Sequence, residues 1–195
     1  MPEGALVPSG YMAIPFDATR GDPERITLIL DTFCEHPSWM TIPVEPEVMR
    51  VIAARILTNP DNAVMEVWKG GEFVGLLLLT DISPRVDALC HFVFFDRNLI
   101  GKRSLILNWL DGCFTAFDLQ RVTLEVPEFM ETLVSFARRK LRFKYEGEDR
   151  NPATKHQDAV HTAKQGSRKE RAHFHDGQWH DIVRLRLLRE ELERG

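Results

Sequence analysis

The chain has 195 residues, 25 Lys+Arg against 29 Asp+Glu for a formal charge of -4, and 44% of its residues in the hydrophobic set. A chain of this size buries roughly 70% of its unfolded surface, so it needs neither disulfides nor a structural metal to hold a core, and its apolar content excludes an intrinsically disordered chain. No run approaches the ~18 apolar residues of a membrane span, and Met1 to Val7 carries Glu3 where a signal peptide carries bases, so a soluble, cytoplasmic protein with no membrane contact is expected.

Tyr11 to Phe16 has the alternation of a short strand, and Asp22-Pro23-Glu24 is a helix start, with an acid at the cap and Pro in the first turn. That helix is expected to run to about Glu35. A second start at Glu45-Pro46-Glu47 is followed by Val48, Val51, Ile52, Arg55 and Ile56 at helical spacing, until Asn59-Pro60 stops it. Ala63 to Trp68 and Phe73 to Leu79, joined through Gly70-Gly71, predict a hairpin. Asp87 to Phe95 is a further strand. Leu105, Trp109, Leu110, Cys113, Phe114 and Phe117 then recur at threes and fours, predicting an amphipathic helix that ends near Asp118-Leu119. Arg121 to Val126 alternates as a strand, Met130 to Leu141 is helical, and Phe143 opens another strand. Asn151 to Ala172 has almost no apolar residue and is read as a long polar loop insertion. Trp179 to Leu188 is the last strand, with a short charged helical tail.

Charge is uneven along this order. Arg138 to Arg171 holds eleven bases and five acids, a net +6, leaving -10 on the rest. A polyanion or an acidic protein face would dock on such a region, and so a protein partner at 151–171 is one expectation; a solvated loop is the other. Nucleic acid is not expected there, because Asn151 to Arg171 has no aromatic to stack on bases. Cys34, Cys90 and Cys113 are odd in number, widely spaced and in apolar surroundings, which predicts buried thiols and neither a disulfide framework nor a zinc site. Trp39, Trp68, Trp109 and Trp179 are read as core. His173-x-His175, with Asp176 or His180, has ligand types suited to zinc or nickel, but without regular spacing the histidines are read as solvated and no metal is assigned.

From Gly71 onward the chain resembles the GCN5-related N-acetyltransferase (GNAT) superfamily, and within it the ribosomal-protein and amino-terminal acetyltransferases. The residues that carry the resemblance are the hairpin Lys69 to Gly75, the strand, loop and helix of Phe92 to Phe117, the segment Phe117 to Val126, Lys140 to Arg150, and Asp176 to Asp181 before Leu187-Leu188. The resemblance implies an α/β (α+β) fold: a mixed, mainly antiparallel central sheet of six to seven strands flanked by about four helices, in a single domain spanning 1–195 with 151–172 as a basic insertion. It also implies acetyl-CoA as co-substrate, held by Phe94, Phe95, Arg97, Leu99, Gly101, Lys102, Arg103 and Ser104, and a small-molecule or protein amine as acceptor. Family members carry Arg/Gln-x-x-Gly-x-Gly/Ala in the pyrophosphate loop; Arg97 to Ser104 fits it in neither register. Arg142 stands where the family has the Gly of Leu-Gly-Phe, and Arg138 where many members have the Tyr that protonates the departing thiolate.

Acetyl transfer to an amine needs a base for the ammonium proton and an acid for the thiolate. His91 is the candidate base on the central strand, against a structural reading as a satisfied strand histidine. Glu125 ends the next strand and reaches the same cleft, against a salt-bridge reading. Tyr145 is the candidate hydroxyl, against a half-buried strand Tyr; Cys90 as nucleophile is the weakest idea. Two functions stay open: an acyl-CoA-dependent N-acyltransferase, and a non-catalytic protein on the same scaffold serving as a structural or interaction component of an assembly such as a virion or multiprotein complex.

Overall fold

A computed structural model of the chain describes residues 10–17, 22–36, 44–95, 101–146 and 168–193. The elements, in chain order, are β1 (Tyr11–Pro15), α1 (Pro23–Glu35), α2 (Pro46–Thr58), β2 (Ala63–Lys69), β3 (Glu72–Ser83), β4 (Asp87–Phe94), α3 (Lys102–Ala116), β5 (Arg121–Pro127), α4 (Glu131–Lys140), β6 (Lys144–Tyr145), β7 (Arg168–His175), β8 (Gln178–Leu188) and α5 (Arg189–Glu193). α1 starts where Asp22 accepts a hydrogen bond from the Glu24 N–H at 3.1 Å, with Pro23 in the first turn. Among the described residues the eight strands form one mixed sheet in the order β1-β2-β3-β4-β5-β8-β6, with β7 also on β8. Only the β4–β5 pair is parallel; the other described pairs are antiparallel.

Both sheet faces are covered. On one, α3 lays Leu105, Ile106, Trp109, Leu110, Cys113 and Phe114 against Met65, Leu77, Cys90, Val122, Leu124 and Leu185. On the other, Ile29 and Phe33 of α1 and Ala53 and Leu57 of α2 pack on Val64, Leu76 and Leu78. Side chains alternate between faces along a strand, so Ala88, Cys90, Phe92 and Phe94 of β4 and Val122, Leu124 and Val126 of β5 face α3/α4, and the residues between them face α1/α2.

The sheet has one strand more than the sequence reading allows, because Arg168 to Ala172 belongs to β7 and not to a loop. Its polar residues escape a pattern based on apolar alternation because ion pairs satisfy them: Arg168 with Glu128 and Asp181, and Lys169 with Glu125. Tyr145 pairs with Leu185 and Arg168 with Val183, so β6 and β7 lie end to end along β8 as one interrupted edge strand. Residues 147–167, between β6 and β7 in the sequence, fall outside the described residues, as does Trp39. Cys90 and Cys113 are buried as expected, Cys34 partly so. Burial pushes the Cys113 thiol up to about 12 and the Cys90 thiol well above its usual value, so neither is a ready nucleophile. Trp179 departs from its core reading: it is 52% exposed and meets Phe174 edge-on. No helix among the described residues is long and apolar enough to cross a membrane.

One buried charge holds α1 to the sheet. Glu66 is 3% exposed, and its Oε2 accepts from Arg25 Nε at 2.8 Å, Arg25 Nη2 at 2.5 Å and Trp68 Nε1 at 2.8 Å. Arg25→Ala is expected to cost about 2 kcal/mol in chemical denaturation. That is below the ~3–5 kcal/mol of a fully buried pair, because Arg25 is one-third exposed and Trp68 keeps its bond to the carboxylate. Arg25→Met with Glu66→Leu is expected to recover most of the loss, since the desolvated charge is then gone.

Candidate active site

β4 and β5 are in register from Asp87↔Arg121 to Cys90↔Leu124, and there their pairing ends. Both strands continue, β4 to Phe94 and β5 to Pro127, each still paired on its outer side, β4 to β3 and β5 to β8. The inner edges of His91–Phe94 and Glu125–Pro127 therefore diverge into a cleft lined by backbone N–H and C=O groups free of ladder bonds. Groups of this kind demand partners.

On the α1/α2 face of this cleft stand His91 and Glu125, at the first positions past the last paired residues. His91 Nε2 is 3.0 Å from Thr80 Oγ1. Burial is the main cause that holds His91 below the usual imidazole value, opposed by the charges of Glu125 and Asp81, so the ring is neutral at neutral pH. Glu125 has Lys169 Nζ at 2.5 Å and Arg184 Nε at 3.1 Å on the same Oε1. Arg184 Nη1 reaches Glu146 at 3.2 Å, Glu146 is 3.5 Å from Arg121, and Arg121 pairs with Asp87. Charges of alternating sign thus cross β4, β5, β8 and β7, and Glu125 is a member of that lattice.

Tyr145 is not with them. It pairs with Leu185 and lies 5% exposed in the core of the α3/α4 face, with the Arg138 guanidinium 4.2 Å above its ring. It also lines a 280 Å³ pocket with Glu128, Glu131, Ser135, Arg138 and Arg139, on the flank of α4. The sheet thus separates two of the three candidate catalytic groups from the third.

At the outer end of β4, Phe94 turns to the α3/α4 face and Phe95 to the other, where it stacks on His36 with ring centroids 4.7 Å apart. Gly101, at φ 84°, caps α3 with no side-chain bond to the first-turn amides. Such an uncapped helix start favours an anion. Ser104 is exposed there. Lys102 is fully buried, its Nζ 4.4 Å from the centre of the Phe94 ring, and Arg103 Nε donates to the Lys140 carbonyl at 3.0 Å. Arg97 and Leu99 lie outside the described residues. Of the eight expected cofactor residues, the six described ones thus gather at the end of β4 and the start of α3.

Sequence reasoning misses Thr80, Lys169 and Arg184 at this site. Thr80 is the diagonal cross-strand neighbour of His91, which only the β3–β4 register reveals. Lys169 sits in a segment read as loop, and Arg184, on the strand the sequence does predict, is brought to Glu125 only by the β5–β8 register. Among the described residues no group of three His, Cys, Asp or Glu is placed to hold a metal ion.

No protein-family model matches the sequence, and no curated protein does. Solved structures do match. The spermidine N-acetyltransferase from Vibrio cholerae, in complex with CoA and spermine, superposes with a TM-score of 0.67 at 17% identity, over 95% of this chain and 99% of that one. An acetyl transferase from Salmonella typhimurium that modifies the N-terminal serine of the 50S ribosomal subunit protein L7/L12 gives 0.63 at 14% identity, over 93% and 98%. At such identities the likeness is one of fold: the chain has the GNAT fold, and these structural neighbours are N-acetyltransferases.

Proposed function

We propose that this chain is an acyl-CoA-dependent N-acyltransferase, moving an acetyl group to an amine by direct attack in a ternary complex. The observation that carries the reading is the end of β4–β5 pairing at Cys90↔Leu124 while both strands continue, which leaves the backbone edge of His91–Phe94 open to a ligand. Acetyl-CoA would supply the activated thioester. The backbone amides of Lys102, Arg103 and Ser104, in the first turn of α3 behind Gly101, would face its phosphates together with the preceding Arg97 and Leu99, while the Lys102 and Arg103 side chains stay on Phe94 and Lys140 and Phe94 and Phe95 would wall the opening. The base is His91: burial keeps it neutral, and with Thr80 Oγ1 accepting from Nε2–H, Nδ1 would take the proton of the attacking amine as the C–N bond forms. The C–S bond then breaks, and the CoA thiolate leaves and takes its proton from the imidazolium, directly or through water. Glu125, held by Lys169 and Arg184, supports the resulting imidazolium by charge and does not itself carry the proton. Tyr145, on the other face, takes no part in this step. The acceptor is a small-molecule or protein amine, the two kinds of acceptor named for the neighbours.

A non-catalytic role in a larger assembly is favoured by one observation: Lys102 and Arg103, the bases that would offset the departures from the family's glycine loop, are turned onto Phe94 and Lys140. Titration calorimetry with acetyl-CoA separates the two readings. Micromolar binding, a raised thermal midpoint and loss of both in Gly101→Trp are expected. No heat and no shift at millimolar acetyl-CoA would overturn the enzyme reading in favour of the assembly role.

A further inference from the structure

Phe129, in the turn between β5 and α4, is surrounded by three imidazoles of the β7–β8 ribbon. His175 lies stacked on it, with centroids 4.6 Å apart and 10° between the planes; His180 meets it edge-on at 4.9 Å, and His173 is tilted at 5.5 Å. His173 and His180 are cross-strand partners and His175 is two residues beyond His173, so the three share one side of the ribbon, while Phe174 and Trp179 pair on the other. The histidine side is also that of Lys169, which reaches Glu125. The cluster joins two separate elements, the ribbon and the turn into α4, on the ribbon side from which Lys169 reaches Glu125.

His173 departs from the solvated reading that the sequence suggests, while His175 and His180 are partly exposed. His173 is 2% exposed, and its Nε2 has no hydrogen-bond partner. The His175 ring lies 6.4 Å from both His173 and His180. Of the charged groups on the elements packed here, Asp176 in the ribbon turn is 3.3 Å from His175 Nε2. Asp181 of β8 and Glu128 of the Phe129 turn are committed to Arg168, and Glu125 of β5 to Lys169 and Arg184. Glu170 and Arg171 of β7 and Glu131 of α4 complete the charged neighbours.

We propose that Phe129 and the three histidines form an acid-released clasp, closed while the imidazoles are neutral and opened by protonation, that fixes the β7–β8 ribbon against the turn into α4. Neutral imidazoles pack on a phenyl ring as aromatics do. A charge on His173 would sit in a dry site with no acceptor at Nε2 and two further imidazoles close by. Lifting the ribbon off Phe129 admits water and relieves that cost. Burial, and secondarily the neighbouring His175 and His180, hold the His173 pKa below the usual imidazole value. The unfolded chain therefore binds more protons below about pH 6.5, so the clasp's stabilisation is complete above that pH and lost as pH falls through the lowered value. One proton weakens the closed form by up to tenfold per pH unit. The clasp stands on the packing and does not depend on the N-acyltransferase reading.

The test is a histidine side-chain ¹H–¹⁵N titration of the full chain from pH 8 to 5, with Phe129 ring protons followed in the same samples and signals assigned from His173→Leu, His180→Gln and Phe129→Leu. The expected result is that His173 titrates below the usual imidazole value and that the Phe129 ring resonances move in the same step. In His173→Leu the thermal midpoint is expected to fall less between pH 7.5 and 5.5 than in the parent. A His173 that titrates at the ordinary value, or a Phe129 ring unmoved throughout, overturns the clasp. Both readings come from the unsubstituted protein, so a variant that fails to fold does not decide them. Failure to bind acetyl-CoA would remove the enzyme reading and leave this result standing.

Discussion

His91→Ala is expected to lower kcat for acyl transfer by about 10²–10³-fold, the loss that follows removal of a positioned general base, while the Kd for acetyl-CoA stays within about twofold. The prediction follows from the ring's surroundings. Burial holds His91 neutral, so it can accept a proton at neutral pH, and Thr80 fixes one nitrogen at 3.0 Å, so the other is oriented. Because the pKa is lowered, the acid limb of the pH–rate profile is expected below the ~6.5 of an ordinary imidazole. Thr80→Val is expected to cost about tenfold in kcat and to move that limb, since it changes which nitrogen carries the proton. Glu125→Gln acts by a different route: it unties Lys169 and Arg184, so a change in stability is expected beside a smaller loss in rate. If His91→Ala keeps more than a third of the parental kcat, His91 is not the base, and the strand-histidine reading takes its place.

How far the sequence foretells this arrangement depends on what each element is made of. α1, α2, α3 and β2 to β5 carry either apolar periodicity or helix-start residues, and each lies within a few residues of where the pattern puts it. β7 does not, because Arg168 and Lys169 are made compatible with a strand by carboxylates on β5, β8 and the Phe129 turn, partners distant in the sequence. The same distance hides the site. His91 and Glu125 are legible as two strand residues, but their common face, and the separation of Tyr145 onto the other, follow from register. The basic region also changes meaning once it is folded. Arg168, Lys169 and Lys144 are in ion pairs, and Arg142 donates to the Leu192 carbonyl. Residues 151–167 contain as few as two lysines against one acid, so the excess of charge lies in α4 and β7 and not in the insertion.

Gly75→Ala is expected to destabilise the fold by about 3 kcal/mol and to weaken acetyl-CoA binding with it. Gly75 pairs with Phe94 across β3 and β4, and a Cβ there would lie 2.3 Å from the Val93 carbonyl oxygen and 2.8 Å from the Phe94 ring. The nearer contact is with backbone, which cannot rotate away, so β3 and β4 must separate at the end that lines the cleft, at the upper end of the ~1–3 kcal/mol typical of overpacking. Phe94 would carry the disturbance onward, since Lys102 rests on its ring at the start of α3. Gly112, in the body of α3, is the matched control: an added Cβ meets nothing within 4 Å, and Gly112→Ala is expected to stabilise by about 0.5–1 kcal/mol through helix propensity. Urea denaturation of the two variants reads the opposite signs directly. A Gly75→Ala protein as stable as the parent would mean that the β3–β4 pair yields at this point, and that the cleft's wall is set by something other than the seat of Phe94 on Gly75.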